Sequence, residues 1–187
     1  MAFIILKDVR LAFPRLYEPV EYAAGDGKPR YDATFIVTPG SDAEKVIQKA
    51  YDEAAKVKFE KKCTSNLAMI KTNLQKNCWY DGNLKEDLDG YAGNMILATH
   101  RSKKDGAPKI MRRDKSLIVS DAGEIYSGCY VNASVEIWAQ TGENMGMRAT
   151  FAGIQFLRGG DSFGGARKSD GSEFEELSAE TIGDDDL

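Results

Sequence analysis

Between Arg101 and Lys115 the chain carries seven basic side chains, Arg101, Lys103, Lys104, Lys109, Arg112, Arg113 and Lys115, against two acidic ones. Cations at that density can follow a phosphodiester backbone by releasing its condensed counterions, and this needs no contact to a base. The interruption Asp105-Gly106-Ala107-Pro108 is turn chemistry, so the segment reads as a basic β-hairpin tip. A second signal is Trp138, a large aromatic between Glu136 and Gln140 on an otherwise polar strand face. An exposed indole there offers a π-face to an unpaired base, a contact worth roughly 1–3 kcal/mol. Trp79, Tyr80, Tyr126, Tyr130 and Phe163 are aromatics of the same type with a weaker claim. Each of these signals also has a plain structural reading, a solvated charged loop in one case and core aromatics in the other.

Arg148 joins the candidate phosphate contacts, and so do Arg167 and Lys168, which end the stretch RGGDSFGGARK from Arg158 to Lys168. Its four glycines make it an arm able to lay Phe163 and the two cations on a ligand, or a linker to the C-terminal segment. Catalytic chemistry is poorly represented. His100 is the lone histidine, has no nucleophile or metal-ligand spacing near it, and reads as a strand-end residue. The acidic group Asp81, Glu86, Asp87 and Asp89 could hold a divalent ion in a metal-dependent nuclease, but it lacks the spacing of a calcium loop and reads as loop decoration. No glycine-rich phosphate loop is present. The expectation is a binding protein, not an enzyme, with no cofactor and no metal.

Overall charge divides the chain. The 187 residues hold 25 Lys and Arg against 29 Asp and Glu, a formal charge of −4. Eight of those carboxylates fall between Asp170 and Leu187, where there is no Lys or Arg, so Met1 to Ser169 carries 25 positive charges against 21 negative, or +4. A basic body with an acidic end suits a polyanion ligand, though such an end also serves as a solubilising tail. Three cysteines, Cys63, Cys78 and Cys129, with no C-x-x-C pair read as reduced thiols. No signal sequence or membrane span is expected.

These residues need a scaffold. Phe3, Ile5, Val9, Leu11 and Phe13 alternate as a strand ended by Pro14, and Tyr31, Ala33, Phe35 and Val37 line one face of a second strand. Ser41 and Glu44 form a capping box that opens a helix expected to run to about Lys62. A short helix and then a loop around Cys78 to Gly82 are expected next, followed by short strands at Asn94 to Thr99 and Lys115 to Val119. Val131, Ala133, Val135, Ile137 and Ala139 give the clearest two-residue period, paired through a Thr-Gly-Glu-Asn turn with a strand from Met147 to Leu157. The fold class expected is mainly β with one prominent helix, a small antiparallel β-barrel. Three regions are expected: a folded domain over 1–158, a Gly-rich basic arm over 159–172 and an acidic tail over 173–187.

Several stretches, taken in order, resemble a known family: FPRLYEP at Phe13 to Pro19, GYAGN at Gly90 to Asn94, YSGCYVN at Tyr126 to Asn132, IWA at Ile137 to Ala139, GIQF at Gly153 to Phe156 and GGDSFGG at Gly159 to Gly165. The family is that of tailed-phage single-stranded DNA-binding proteins with an OB-fold, long known only as a domain of unknown function. The resemblance implies an OB-fold protein that coats single-stranded DNA in the host cytoplasm during phage replication or recombination. An acidic tail in that setting implies a partner such as a phage or host polymerase, helicase or recombinase, contacted through Asp184, Asp185, Asp186 and Leu187, with a homo-oligomer or cooperative assembly on DNA left open. The chain ends on Leu187, where the wider functional class commonly ends on an aromatic. A protein-interaction adaptor, whose acidic tail is its whole purpose, is the other class kept in view.

Overall fold

The computed structural model describes residues 3–21 and 27–164; Arg167, Lys168 and the tail residues Asp184 to Leu187 lie outside them. In chain order the elements are β1 (Ile4–Val20), β2 (Arg30–Val37), α1 (Asp42–Phe59), α2 (Cys63–Ile70), β3 (Trp79–Asp81), β4 (Met95–Ser102), β5 (Lys109–Met111), β6 (Tyr130–Gln140) and β7 (Gly146–Arg158). The strands form one sheet in the order β3-β4-β2-β1-β6-β7-β5, antiparallel except for the parallel pair of β5 with β7.

The sheet curls because its long strands twist and bulge. β1 pairs with β6 through its first half and with β2 through its second, with register shifts in both ladders. Curling brings β4 towards β7, and Cys78 bridges them: its N–H donates to the Met147 carbonyl (3.0 Å) and its carbonyl accepts from Ala98 N–H (2.9 Å). The strand ladder does not close, so the result is a partly open, OB-fold-like barrel. Inward side chains from every long strand fill it, among them Leu6, Leu11, Phe35, Leu97, Val135 and Phe151, all with no exposed surface.

α1 covers the barrel. Ser41 Oγ accepts from Glu44 N–H (3.3 Å) and the Glu44 carboxylate accepts from Gly40 N–H, so two of the unpaired donors at this helix end are satisfied. Ala43, Ile47, Tyr51, Ala55 and Phe59 recur every four residues and are buried. Each large side chain among them contributes about 1.5–3 kcal/mol by leaving water. The helix stops where Glu60 takes a φ of 48°, three residues short of the expected end, and a turn of 3-10 helix leads to α2.

The structure departs from the sequence expectations elsewhere too: 115–119 makes only a single bridge, Leu117 to Met111, and the stretch expected as a loop around Cys78 to Gly82 holds β3. β1 runs on through Pro14 to Val20, because Pro14 falls in the register shift between Ala12 and Arg15, where its missing N–H interrupts no ladder bond. The basic segment is not one hairpin: β4 and β5 do not pair, and 103–108 crosses from β4 to the far end of the sheet, where β5 lies parallel to β7. The hairpin-like tip is at 112–116, closed by Arg112 N–H to the Ser116 carbonyl (2.9 Å) and by an Asp114 side chain accepting from Ser116 N–H (2.9 Å).

Candidate nucleic-acid interface

Alternation decides what the sheet shows to solvent. On β2 the odd residues Tyr31 to Val37 point into the core, so Arg30, Asp32, Thr34 and Ile36 face out. The β4 register sets Ser102, His100, Ala98 and Ile96 across from them, giving one outer face with an apolar end and a charged end. Against it lies a groove of about 620 Å³ whose walls carry the cations Arg30, Lys85 and Arg148 and the imidazole of His100.

Arg148 is held by its own chain. Its Nη1 donates to the Gln75 carbonyl (2.6 Å) and its Nη2 to that of Asn144 (3.3 Å). Burial lowers its pKa from the ordinary arginine value, yet a guanidinium stays charged at any physiological pH, so the groove keeps this cation. The β6–β7 register puts Trp138 directly across from Arg148. The Trp138 ring is half-buried, donates from Nε1 to Thr150 Oγ1 (3.4 Å) and lines a separate apolar pocket with Ala50, Ala54 and Val57 of α1.

The other aromatics separate by burial. Trp79 is 5 % exposed, and its indole N–H donates to Gln48 Oε1 of α1 (2.9 Å), so it is a core residue and presents no face to a base. Tyr80 and Tyr91, 7 % and 3 % exposed, pack with Ala12, Ile36 and Ile96 in a second small core on the outer face. Burial raises the pKa of both phenols, so they stay neutral where they line the groove. Tyr126 is fastened by its hydroxyl, which donates to the Gly160 carbonyl (3.0 Å) and accepts from Gly160 N–H (3.1 Å). Phe163 is half-buried beneath the Arg10 guanidinium, 4.1 Å from its ring centroid.

The basic segment also separates. Arg101 donates to the carbonyls of Asp105 and Gly106 (2.5 and 2.7 Å) and reaches that of Phe151 on β7 (3.4 Å), so it ties the crossing loop to the barrel. Arg112 makes a two-pronged pair with Glu124 (2.7 and 2.8 Å), and that bond holds the Glu124 carboxyl below its ordinary pKa. Arg113 donates to the Leu157 carbonyl (2.7 Å). Lys103, Lys104, Lys109 and Lys115 are exposed, and their ammonium groups make no hydrogen bond or ion pair among the described residues. Lys103 and Lys104 follow β4 directly, where Lys103 N–H donates to the Pro29 carbonyl (3.1 Å), so this pair sits at the charged end of the β2/β4 face, beside Arg30.

Sequence reasoning passed over several residues. Arg30 and Lys85 were outside the basic run, although alternation along β2 does put Arg30 on the outer face. Arg158 and Arg10 were passed over too, and they stack on Tyr130, itself one of the weaker aromatic candidates, at 3.6 and 5.4 Å from guanidinium carbon to ring centroid. His100 is bound to Asp32, a partner that no local pattern announces. Of the acidic group, Asp81 caps Asn83 N–H (2.9 Å) and Asp89 accepts from Gly164 N–H (3.1 Å). No group of three His, Cys, Asp or Glu among the described residues is placed to hold a metal ion, and no helix there is long and apolar enough to cross a membrane.

A partly open antiparallel barrel with a cation-lined groove on its outer face is the build of a small oligonucleotide-binding β-domain. Residues 2–187 match the family described as "Enterobacter phage Enc34, ssDNA-binding protein", and the chain belongs to that family. A relative from Acyrthosiphon pisum secondary endosymbiont phage 1, described as "Putative protein p50", is 36 % identical over 179 residues, which cover 94 % of each chain. The fold matches the single-stranded DNA-binding protein of bacteriophage Enc34 solved in complex with ssDNA, at 22 % identity, a TM-score of 0.67 and coverage of 87 % of this chain and 90 % of that one. Another structure of that protein matches at 23 % identity and a TM-score of 0.64, covering 92 % and 89 %.

Proposed function

We propose that the protein binds single-stranded DNA along the groove over β2 and β4, largely without reading sequence. The observation that carries this is the convergence of Arg30, Lys85 and Arg148 on one groove, in a member of a phage ssDNA-binding family. Lys103 and Lys104 extend the positive track, and Trp138, across from Arg148, is the aromatic best placed to stack an unpaired base. Lys109, Arg113 and Lys115 form a second basic patch on the 109–115 segment. The protein acts stoichiometrically in the host cytoplasm, coating DNA exposed during replication or recombination, and carries out no chemistry on it.

The acidic segment competes with DNA for the same groove. Phe163 packs against Gly90 and Ile36, so the chain reaches Gly164 beside the β2/β4 face, and the eight carboxylates from Asp170 onward begin a few residues later. Tethered at that point, they act at an effective concentration on the order of millimolar, enough to exclude weakly held or short strands and to yield to long ones. Once displaced, the free peptide ending Asp184-Asp185-Asp186-Leu187 is available to a basic pocket on a polymerase, helicase or recombinase. Deleting Ser172 to Leu187 tests the competition: binding to short oligonucleotides tightens at low salt, and unchanged affinity refutes it.

A further inference from the structure

His100 is the only histidine of the chain, and it stands across from Asp32 on the groove face. Its Nδ1 lies 2.5 Å from Asp32 Oδ1. The Asp32 side chain is 9 % exposed and the imidazole 46 %, so the carboxylate is sunk into the sheet and the ring stands between it and the groove. A ring tethered through Nδ1 leaves Nε2 directed away from its tether, and Nε2 has no partner among the described residues. Around this couple stand Arg30 of β2, with its Nε 3.5 Å from Asp32, Arg15 of β1, the register partner of Asp32, Arg148 of β7 and Lys85 of the turn after β3. The remaining titratable groups on the groove wall are the Tyr80 and Tyr91 phenols, which burial keeps neutral, and the buried Cys78 thiol, which burial pushes up to about 12.

The ring therefore touches one buried acid and shares the groove with several cations. A phosphate entering the groove offsets those cations and leaves the acid in place. We propose that His100 is a proton-linked phosphate contact: with DNA in the groove, Nδ1–H donates to Asp32 and Nε2–H donates to a phosphate oxygen, the second proton coming from solvent. This rests on the reading that single-stranded DNA occupies this groove. The linkage fixes the sign. Where the free protein holds a neutral ring and the complex a charged one, binding takes up a proton and affinity rises as pH falls; once both states are charged the gain stops. One proton limits the slope of log affinity against pH to about −1, and the added phosphate contact steepens the salt dependence by about 0.7 on the acid side.

Because the chain has one histidine, the imidazole ring protons can be followed by NMR without any substitution. The experiment titrates that signal against pH in the full-length protein, alone and saturated with oligo-dT at low salt. A higher midpoint in the complex is expected, and each unit of midpoint shift corresponds to about a tenfold gain in affinity across the transition. The same midpoint in both states, or a lower one in the complex, overturns the proposal. His100→Gln, with folding checked by circular dichroism, is expected to flatten the pH profile of affinity; a profile as steep as that of the parent protein also overturns it. Absence of oligo-dT binding at every pH counts instead against the groove reading, and this inference falls with it.

Discussion

Replacing Lys103 and Lys104 together by glutamine removes two charges from the charged end of the β2/β4 face while leaving what holds the loop untouched. That loop is fixed by Arg101 to the Asp105 and Gly106 carbonyls, by Lys103 N–H to Pro29 and by Ser102 Oγ accepting from Lys104 N–H, none of which needs an ammonium group. If each lysine meets one phosphate, the slope of log affinity against log salt falls by about 0.7 per contact on single strands, about 1.4 for the pair. Over the tenfold range from 1 M down to 0.1 M salt this amounts to roughly a 25-fold weakening at the lower end. Arg112→Gln, in the same basic segment, should do the reverse. Arg112 is spent on Glu124, Ser116 and the Leu117 carbonyl, so its loss lowers the melting temperature and leaves the salt slope nearly unchanged. The assay is fluorescence anisotropy of labelled oligo-dT from 0.1 to 1 M salt, with thermal melts alongside. An intact slope in the lysine pair, together with a reduced slope in Arg112→Gln, would refute the assignment of charge to these two roles.

Gly128→Ala should destabilise the fold by about 2 kcal/mol or more, because φ there is +109° and an added Cβ would meet the Asp161 carbonyl oxygen at 2.0 Å; urea unfolding reads it. Trp138→Phe should abolish most of the fluorescence change on DNA addition, whereas Trp79→Phe should preserve it, and the opposite pattern would move the aromatic contact to the core residue. Thiol titration of the native protein should show fast reaction at Cys63 alone. Cys78 and Cys129 are buried and burial raises both thiols, so they should react only on unfolding.

Much of this scaffold was legible because its local signals agree with its tertiary environment. The β6 alternation is nearly strict, one side facing the core and the other half-exposed, and the helix start is written in Ser41 and Glu44. The sequence was misleading where pairing is non-local. The brief parallel contact of β5 with β7 joins residues over forty positions apart, so turn chemistry at Asp105 to Pro108 suggested a hairpin that does not form. Side-chain freedom was overcounted for a related reason: arginines in a basic run look alike on paper, but Arg101 and Arg113 are held by backbone carbonyls, which leave their charge in place, and Arg112 is paired with a carboxylate, and only packing reveals it. Arg30 and Lys85 suffered the opposite error: they and Arg148, the one of the three that the sequence did single out, come from three separate segments and converge through register and curl. Asp32 and His100, 68 residues apart, are a pair for the same reason.

The most direct test of the central claim is a salt titration of the full-length protein binding a fluorescent single-stranded oligo-dT of about 30 nucleotides, with the matching duplex beside it. Micromolar or tighter binding to the single strand, weaker binding to the duplex and a steep loss of affinity with salt are expected. Failure of both the full chain and its tail-deleted form to bind the single strand at low salt would contradict that claim.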